Sequence, residues 1–161
     1  MFSNLTIRGR GLSMTTAYVP PDDSLIRNVP WARLRKDADD NVLGIDSAAF
    51  RLRPLEPYLS ATWLEFFAGA SKTDQMHEAV RHIRNSDFKP TANSGFAIGK
   101  VREIEAACVS RSYKIRVVHE ETADNRAHVA IRRWPENDAV LFEELAAGAW
   151  GDLVMNKDCP A

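Results

Sequence analysis

The residues best suited to chemistry lie together in the last third of the chain. His119 is followed directly by Glu120, and His128 comes shortly after them in the sequence HEETADNRAH. Two histidines and a carboxylate could hold a metal ion or activate water in a hydrolase or nuclease. However, the histidines do not have the spacing of a helical zinc motif, in which they lie one turn apart. The chain also lacks a Gly-x-Ser-x-Gly elbow, a phosphate-binding glycine loop and a Cys-x-x-Cys pair.

These observations leave the catalytic residues unidentified, and they predict neither a metal ion nor another cofactor. One enzyme alternative stays open, namely a hydrolase or nuclease that uses His119, Glu120 or His128. For His119 the pattern favours a hydrogen-bonded histidine at the edge of the core over a catalytic group. Titratable residues in perturbed environments often have a structural role only.

Strand periodicity separates the two histidines. Alternation along the strand that ends at His119 places this residue with the apolar side chains. A return strand over residues 128–134 keeps its apolar side against them if Val117 pairs with Val129. In this register His128 points to the opposite face from His119, so the two imidazoles diverge.

The face that carries His128 is rich in cations. We predict it as the partner-binding surface, formed by Lys114, Arg116, Arg126, His128 and Arg132. Such a face could meet a carboxylate-rich protein or phosphate groups. It could equally be solvated, or be paired with an acidic helix over residues 136–144.

The overall charge points to no particular partner. The chain has 21 basic and 22 acidic residues, which gives a formal net charge of −1. Another protein is therefore the preferred partner, and nucleic acid stays a possible one. No stretch reaches the roughly 18 apolar residues of a membrane span, so we expect no membrane contact. With only two cysteines, the sequence suits a reducing cytoplasm, which is the predicted location.

Strands mixed with helices in the middle and at the end of the chain predict an α+β fold. We expect a small, mostly antiparallel sheet with a C-terminal hairpin, packed by two to four helices. Residues 1–23 are predicted to form a flexible arm, residues 24–150 a single domain and residues 151–161 a C-terminal tail. The sequence allows translation to start at Met1 or at Met14.

Individual elements follow from local patterns. Helices are predicted from Ser71 and from Pro135, and strands over residues 31–35, 47–52 and 96–101. The seven residues that end at Cys108 fit either a helix or a strand. The aromatic stretch 58–67 has Leu59, Trp63, Phe66 and Phe67 near helical spacing, so we predict a core helix there. In that case Trp63→Ala should cost about 3–5 kcal/mol of stability.

Several short landmarks occur together in a fixed order. They are Leu25-Ile26-Arg27 with Val29-Pro30, Ser47-Ala48-Ala49-Phe50, Leu59-Ser60 with Trp63-Leu64-Glu65 and Phe67, Phe96-Ala97-Ile98 with Gly99-Lys100-Val101, and Val118-His119 followed by Ala127-His128. In this the chain resembles a group of short bacterial proteins to which no activity is assigned. The resemblance covers residues 24–145 and implies a single bacterial domain.

The sequence as a whole predicts a non-catalytic interaction or accessory protein of a bacterial system. Its expected mode of action is to bind an anionic or protein partner through the basic sheet face.

Overall fold

The computed structural model describes residues 17–87 and 89–160. Its strands are β1 (Ser24–Val29), β2 (Leu34–Lys36), β3 (Val42–Ile45), β4 (Leu59–Trp63), β5 (Gly95–Lys100), β6 (Arg116–His119), β7 (His128–Arg132) and β8 (Asp152–Met155). Its α-helices are α1 (Lys72–Arg84), α2 (Val101–Val109) and α3 (Ala139–Ala147). Six strands form one sheet in the spatial order β6-β7-β4-β1-β5-β8, and β2 pairs with β3 in a separate ribbon.

Every pair of neighbouring strands is antiparallel, and β6 and β7 form the predicted hairpin. The α+β prediction is therefore confirmed. None of the helices in the described ranges combines the length and the apolar composition needed to cross a bilayer.

Apolar side chains are buried on both faces of the large sheet. On one face, α2, α3 and the 3₁₀ turn Ser47–Phe50 enclose a core that contains Phe50 and Trp150. On the other face, α1 packs Val80 and Ile83 against Ile26 of β1 and neighbouring residues of β5. This second core covers only part of its face, so a region of β4 and β7 lies outside it.

The predicted helix over residues 58–67 is wrong. Leu59–Trp63 form β4, a strand with partners on both sides, and Leu64–Phe66 form a single 3₁₀ turn. Helical spacing and strand alternation both fit a run this short and apolar. The β-branched Thr62 and the aromatic side chains favour extended backbone once neighbouring strands supply the ladder.

The two weak strands predicted near the N-terminus are also corrected. Trp31–Arg33 form a 3₁₀ turn, and the strand β2 starts only at Leu34. The second stretch is the 3₁₀ turn Ser47–Phe50, which begins where the Asp46 side chain accepts a hydrogen bond from Ala48 N at 2.8 Å. This side chain to backbone contact closes a turn in place of a strand ladder.

The helices predicted from Ser71 and from Pro135 are both present. Ser71 accepts a hydrogen bond from Asp74 N at 3.2 Å at the start of α1, as the sequence predicts. The last helix, α3, begins at Ala139, a few residues after the predicted start at Pro135. The undecided stretch that ends at Cys108 is helical, within α2.

Both predicted terminal boundaries lie inside ordered structure. Val19 N donates to Val117 O at 3.1 Å, so the end of the predicted arm adds to the edge of β6. The predicted tail contains β8, which pairs with β5 along its length. The guanidinium of Arg84 then holds Asn156, Cys159 and Pro160 through hydrogen bonds of 2.8–3.0 Å. Residues 1–16 of the predicted arm lie outside the described residues.

Trp150 and Trp134, rather than Trp63, are the tryptophans buried in the main core. Trp150 is 0% exposed and donates from Nε1 to Ala97 O at 3.2 Å, whereas Trp63 is half-buried. We expect Trp150→Ala to lower the free energy of unfolding by about 3–5 kcal/mol and Trp63→Ala to lower it by less. Urea denaturation of both variants measures this, and an equal or larger loss for Trp63→Ala would contradict the described core.

Asp138 provides a pH-dependent contribution to stability at the start of α3. Its Oδ1 accepts from Leu141 N at 3.1 Å, and its Oδ2 accepts from Arg111 Nε at 2.8 Å. The hydrogen bond from Arg111 lowers the pKa of Asp138 from 3.8 to about 2. Since the folded pKa is the lower one, the carboxylate stabilises the fold above pH 3.8, and this stability is lost as the pH falls towards 2.

We therefore expect the free energy of unfolding to fall more steeply for the wild type than for Asp138→Asn between about pH 5 and pH 2. Asparagine keeps a capping oxygen but removes the charge, so it serves as the matched control. Urea titrations at several pH values give the two slopes. Parallel slopes would show that Arg111 does not stabilise the ionised carboxylate.

Candidate functional site

The β6–β7 hairpin keeps the predicted faces but not the predicted register. Val117 lies opposite Ile131, two residues from the predicted partner Val129. Because strand side chains alternate with a period of two, this shift leaves each side chain on its predicted face. The turn decides the register, since Thr122 and Asn125 exchange backbone hydrogen bonds of 2.9 and 3.3 Å. Apolar alternation alone cannot distinguish two registers that differ by two residues.

His119 lies at the edge of the core, as the sequence predicts. Its Nε2 lies 2.7 Å from Arg126 O, and its ring contacts those of Trp63 and Phe66, each with a centroid distance of 5.3 Å. These contacts are those of a hydrogen-bonded, half-buried histidine, and His119 does not face His128.

The two arginines that project from the predicted basic face already have partners in the protein. Arg132 donates to both carboxylate oxygens of Glu120, at 2.6 and 2.7 Å, and lies over the ring of Tyr58. These hydrogen bonds hold the pKa of Glu120 below its usual range. Arg116 donates to the hydroxyl of Tyr18 at 2.6 Å.

The other two lysine and arginine side chains of the predicted surface are exposed. Lys114 is exposed, and the Arg126 side chain is 74% exposed with Glu121 at 3.8 Å. Glu120, rather than the acidic helix considered above, neutralises part of this face. The remaining member, His128, is only 8% exposed and lines a cavity.

The His128 ring is held by hydrogen bonds on both of its nitrogens. Its Nδ1 lies 2.8 Å from the backbone oxygen of Glu120, and its Nε2 lies 3.3 Å from Ser60 Oγ. A carbonyl oxygen only accepts, so Nδ1 must carry the proton and donate. In the neutral ring Nε2 is then the acceptor, and the Ser60 hydroxyl is its donor.

The cavity opens where β1 and β4 separate. These strands pair at only two positions, and the last pair joins Ile26 to Thr62. At the next residue, Arg27, the guanidinium replaces the missing ladder contacts. Its Nε donates to Ala49 O at 3.0 Å and its Nη1 donates to Ser60 O at 2.6 Å. An arginine side chain therefore bridges the gap between the two strands.

The cavity has a volume of about 530 Å³. Its lining has an excess of cations over acids and several uncharged polar groups. The charged members are Arg27, Arg33, Arg51, Arg53 and Asp124. The uncharged polar members include Asn28, Ser60, Thr62, Asn125 and His128. Asp124 is bound within the protein, since it accepts from Thr122 Oγ1 at 2.9 Å and from Asp87 N at 3.1 Å.

Arg27 is a partly buried charge without a matching carboxylate among the described residues. Burial lowers its pKa from 12.5 to about 10, an effect that the negative charge of Glu56 partly opposes. The group is still cationic at neutral pH. No carboxylate of residues 17–87 or 89–160 lies within ion-pair distance of it. A partly buried charge that two carbonyl oxygens and a more distant carboxylate compensate leaves a position favourable to an anion.

The side-chain oxygen of Asn28 is buried and lacks a hydrogen-bond donor among the described residues. Buried acceptors of this kind are rare in native proteins, and each requires an explanation. Arg27 and Asn28, successive residues of β1, both line the cavity.

Of the predicted partner-binding residues, only His128 lines this cavity. A signal was present in β1, where Arg27 and Asn28 interrupt the apolar run Leu-Ile-Arg-Asn-Val. Charged residues are rarely found in a central strand unless they are paired. Ser60 gave no signal, because only the pairing of β4 with β7 brings it to His128.

Two other kinds of site, a metal site and a reactive cysteine, are not indicated by the described residues. Within the described ranges, no group of three or more histidine, cysteine or acidic side chains could hold a metal ion. The Cys108 thiol is buried, which raises its pKa to about 12 and keeps it protonated.

No protein-family model, curated protein or solved structure matches the chain. Its function is therefore inferred from the geometry of the cavity.

Proposed function

We propose that the protein binds a small anionic ligand, with a carboxylate or phosphate group, in the cavity between β1 and β4. The observation that carries this proposal is the partly buried guanidinium of Arg27, which lines the cavity and has no carboxylate of the described residues within ion-pair distance. An anion beside it would offset the cost of burying its charge. The volume of about 530 Å³ lies in the range of small-molecule sites.

This proposal keeps the anionic partner predicted from sequence but places it at a different surface. Of the predicted partner-binding residues, His128 lines the cavity, whereas Arg132 is bound to Glu120. The protein would therefore recognise an anionic group that enters a pocket, rather than a partner that lies across the outer face of the hairpin.

The rim of the cavity supports the same conclusion. Arg33 and Arg51 line it, are exposed, and form no ion pair with another described residue. Positive side chains around an opening raise the local concentration of anions and speed their entry. The ligand would thus be attracted by the rim and then fixed by Arg27.

We propose the cytoplasm of a bacterium as the place where this binding occurs. Cys108 and Cys159 are both free thiols, which suits a reducing compartment.

Thermal unfolding and calorimetry with succinate and with inorganic phosphate test the proposal. A ligand that binds only the folded state raises the melting temperature in a concentration-dependent manner. We expect this rise for at least one of the two anions. Arg27→Gln should weaken binding at least about tenfold, because a charge-assisted hydrogen bond contributes roughly 1.5–3 kcal/mol. Arg51→Ser should weaken it less.

Arg35→Ser is the matched control. Arg35 is exposed and basic like Arg51, but it does not line the cavity. We expect its variant to bind the anion as the wild type does. Equal weakening by Arg35→Ser would indicate a general charge effect. If neither anion binds the wild type, the proposal fails. Arg51→Ser keeps the test informative if Arg27→Gln does not fold.

A further inference from the structure

Ser60 and His128 form a pair with the proton arrangement of a nucleophile and its base. The backbone oxygen of Glu120 fixes the proton on Nδ1 of His128, and this leaves Nε2 as the acceptor. The Ser60 hydroxyl, 3.3 Å from Nε2, is then oriented to give up its proton to the ring. Activation of a serine requires this direction of proton transfer, and the distance is often long before substrate binds.

The sheet holds the pair in place. β4 and β7 pair at four successive positions, among them Ser60 with Ala130 and Thr62 with His128. Ser60 and His128 therefore project from the same face of adjacent strands. Glu120 N donates to His128 O at 2.9 Å, so the segment that orients the imidazole is itself fixed. Both side chains line the cavity and can be reached by a ligand.

The guanidinium of Arg27 is hydrogen-bonded to the backbone of the residue that carries the nucleophile. Its Nη1 donates to the backbone oxygen of Ser60 itself, at 2.6 Å. Arg27 and Ser60 both line the cavity, so a ligand whose carboxylate binds Arg27 would lie in the same cavity as the Ser60 hydroxyl. Positioning a reacting group near a nucleophile in this way can account for a large part of a rate enhancement.

We propose that Ser60 and His128 catalyse acyl transfer from small esters whose acyl part carries a carboxylate. The choice of an anionic ester rests on the proposed function, because Arg27 would bind the carboxylate. The assignment of nucleophile and base rests only on the geometry of Ser60 and His128.

The reaction balances with water as the only co-reactant. Ser60 Oγ forms a bond to the ester carbonyl carbon while its proton moves to His128 Nε2. The bond from carbon to the alcohol oxygen then breaks, and Nε2 protonates the departing alcohol. Water attacks the acyl-serine and gives a proton to Nε2, and the carboxylic acid leaves as Ser60 recovers its proton.

Two 4-nitrophenyl esters test the proposal, the monoester of succinate and the uncharged acetate. Nitrophenol release gives the acylation rate, and mass spectrometry of the acid-quenched protein locates the acyl group. We expect the acyl group on Ser60 and no acylation of Ser60→Ala. His128→Gln should react at least about 100-fold more slowly, since a general base contributes roughly that much.

His119→Gln is the control histidine, because His119 lies on the opposite face and outside the cavity lining. It should react like the wild type. Melting temperatures of all variants establish that they fold. Acylation of the Ser60→Ala variant at the wild-type rate would overturn the proposal, since a different residue would then be the nucleophile.

The two esters separate this proposal from the anion-binding proposal. Faster acylation of Ser60 by the succinate ester than by the acetate ester supports both proposals if Arg27→Gln removes this difference or Arg51→Ser reduces it. Equal acylation of Ser60 by the two esters supports the dyad and contradicts recognition of the anion. Saturable succinate binding without any acylation of Ser60 overturns the dyad and leaves the binding function in place.

Discussion

The insertion of Arg27 between β1 and β4 is the interaction on which the site depends. Antiparallel strands normally continue their ladder until both end, but here the pairing stops after Ile26 and Thr62. The guanidinium donates to Ser60 O of β4 and to Ala49 O of the 3₁₀ turn Ser47–Phe50, and so joins both segments to β1. This substitution for strand pairing leaves a cavity in the sheet and places a positive charge beside it.

The two apolar cores of the fold leave this cavity uncovered. α1 covers the β1 and β5 part of one face through Val80 and Ile83, while α2 and α3 fill the opposite face. Neither core extends over the polar side chains of β4 and β7. Ser60, Thr62 and His128 therefore line a pocket whose back is a fully packed core. A rigid sheet behind polar groups is the kind of support that positions a functional site precisely enough to act.

Much of the fold could be predicted because its signals are local. Ser71 caps α1, and alternation in β6 and β7 assigns their faces correctly. The aromatic stretch was misassigned because β4 owes its conformation to strands distant in sequence. Local pattern also gives no sign of β8 beyond residue 150, since this strand pairs with the distant β5.

The site was harder to predict than the fold. His128 was identified because histidines are few and chemically distinctive, but its partner Ser60 is 68 residues away. The cations of the hairpin face were expected to be available, whereas the side-chain geometry joins Arg132 to Glu120. Sequence shows which charges exist, and only the packed structure shows which of them lack a partner.

A crystal structure of the protein soaked in selenate would test the central claim most directly. Selenate carries the charge and tetrahedral oxygens of a phosphate and is located by its anomalous scattering. We predict an anomalous peak in the cavity, with an oxygen at about 2.7–2.9 Å from the Arg27 guanidinium, as expected for a charge-assisted hydrogen bond. A cavity that holds only water, or an Arg27 paired with Glu56 of the protein itself, would contradict the account.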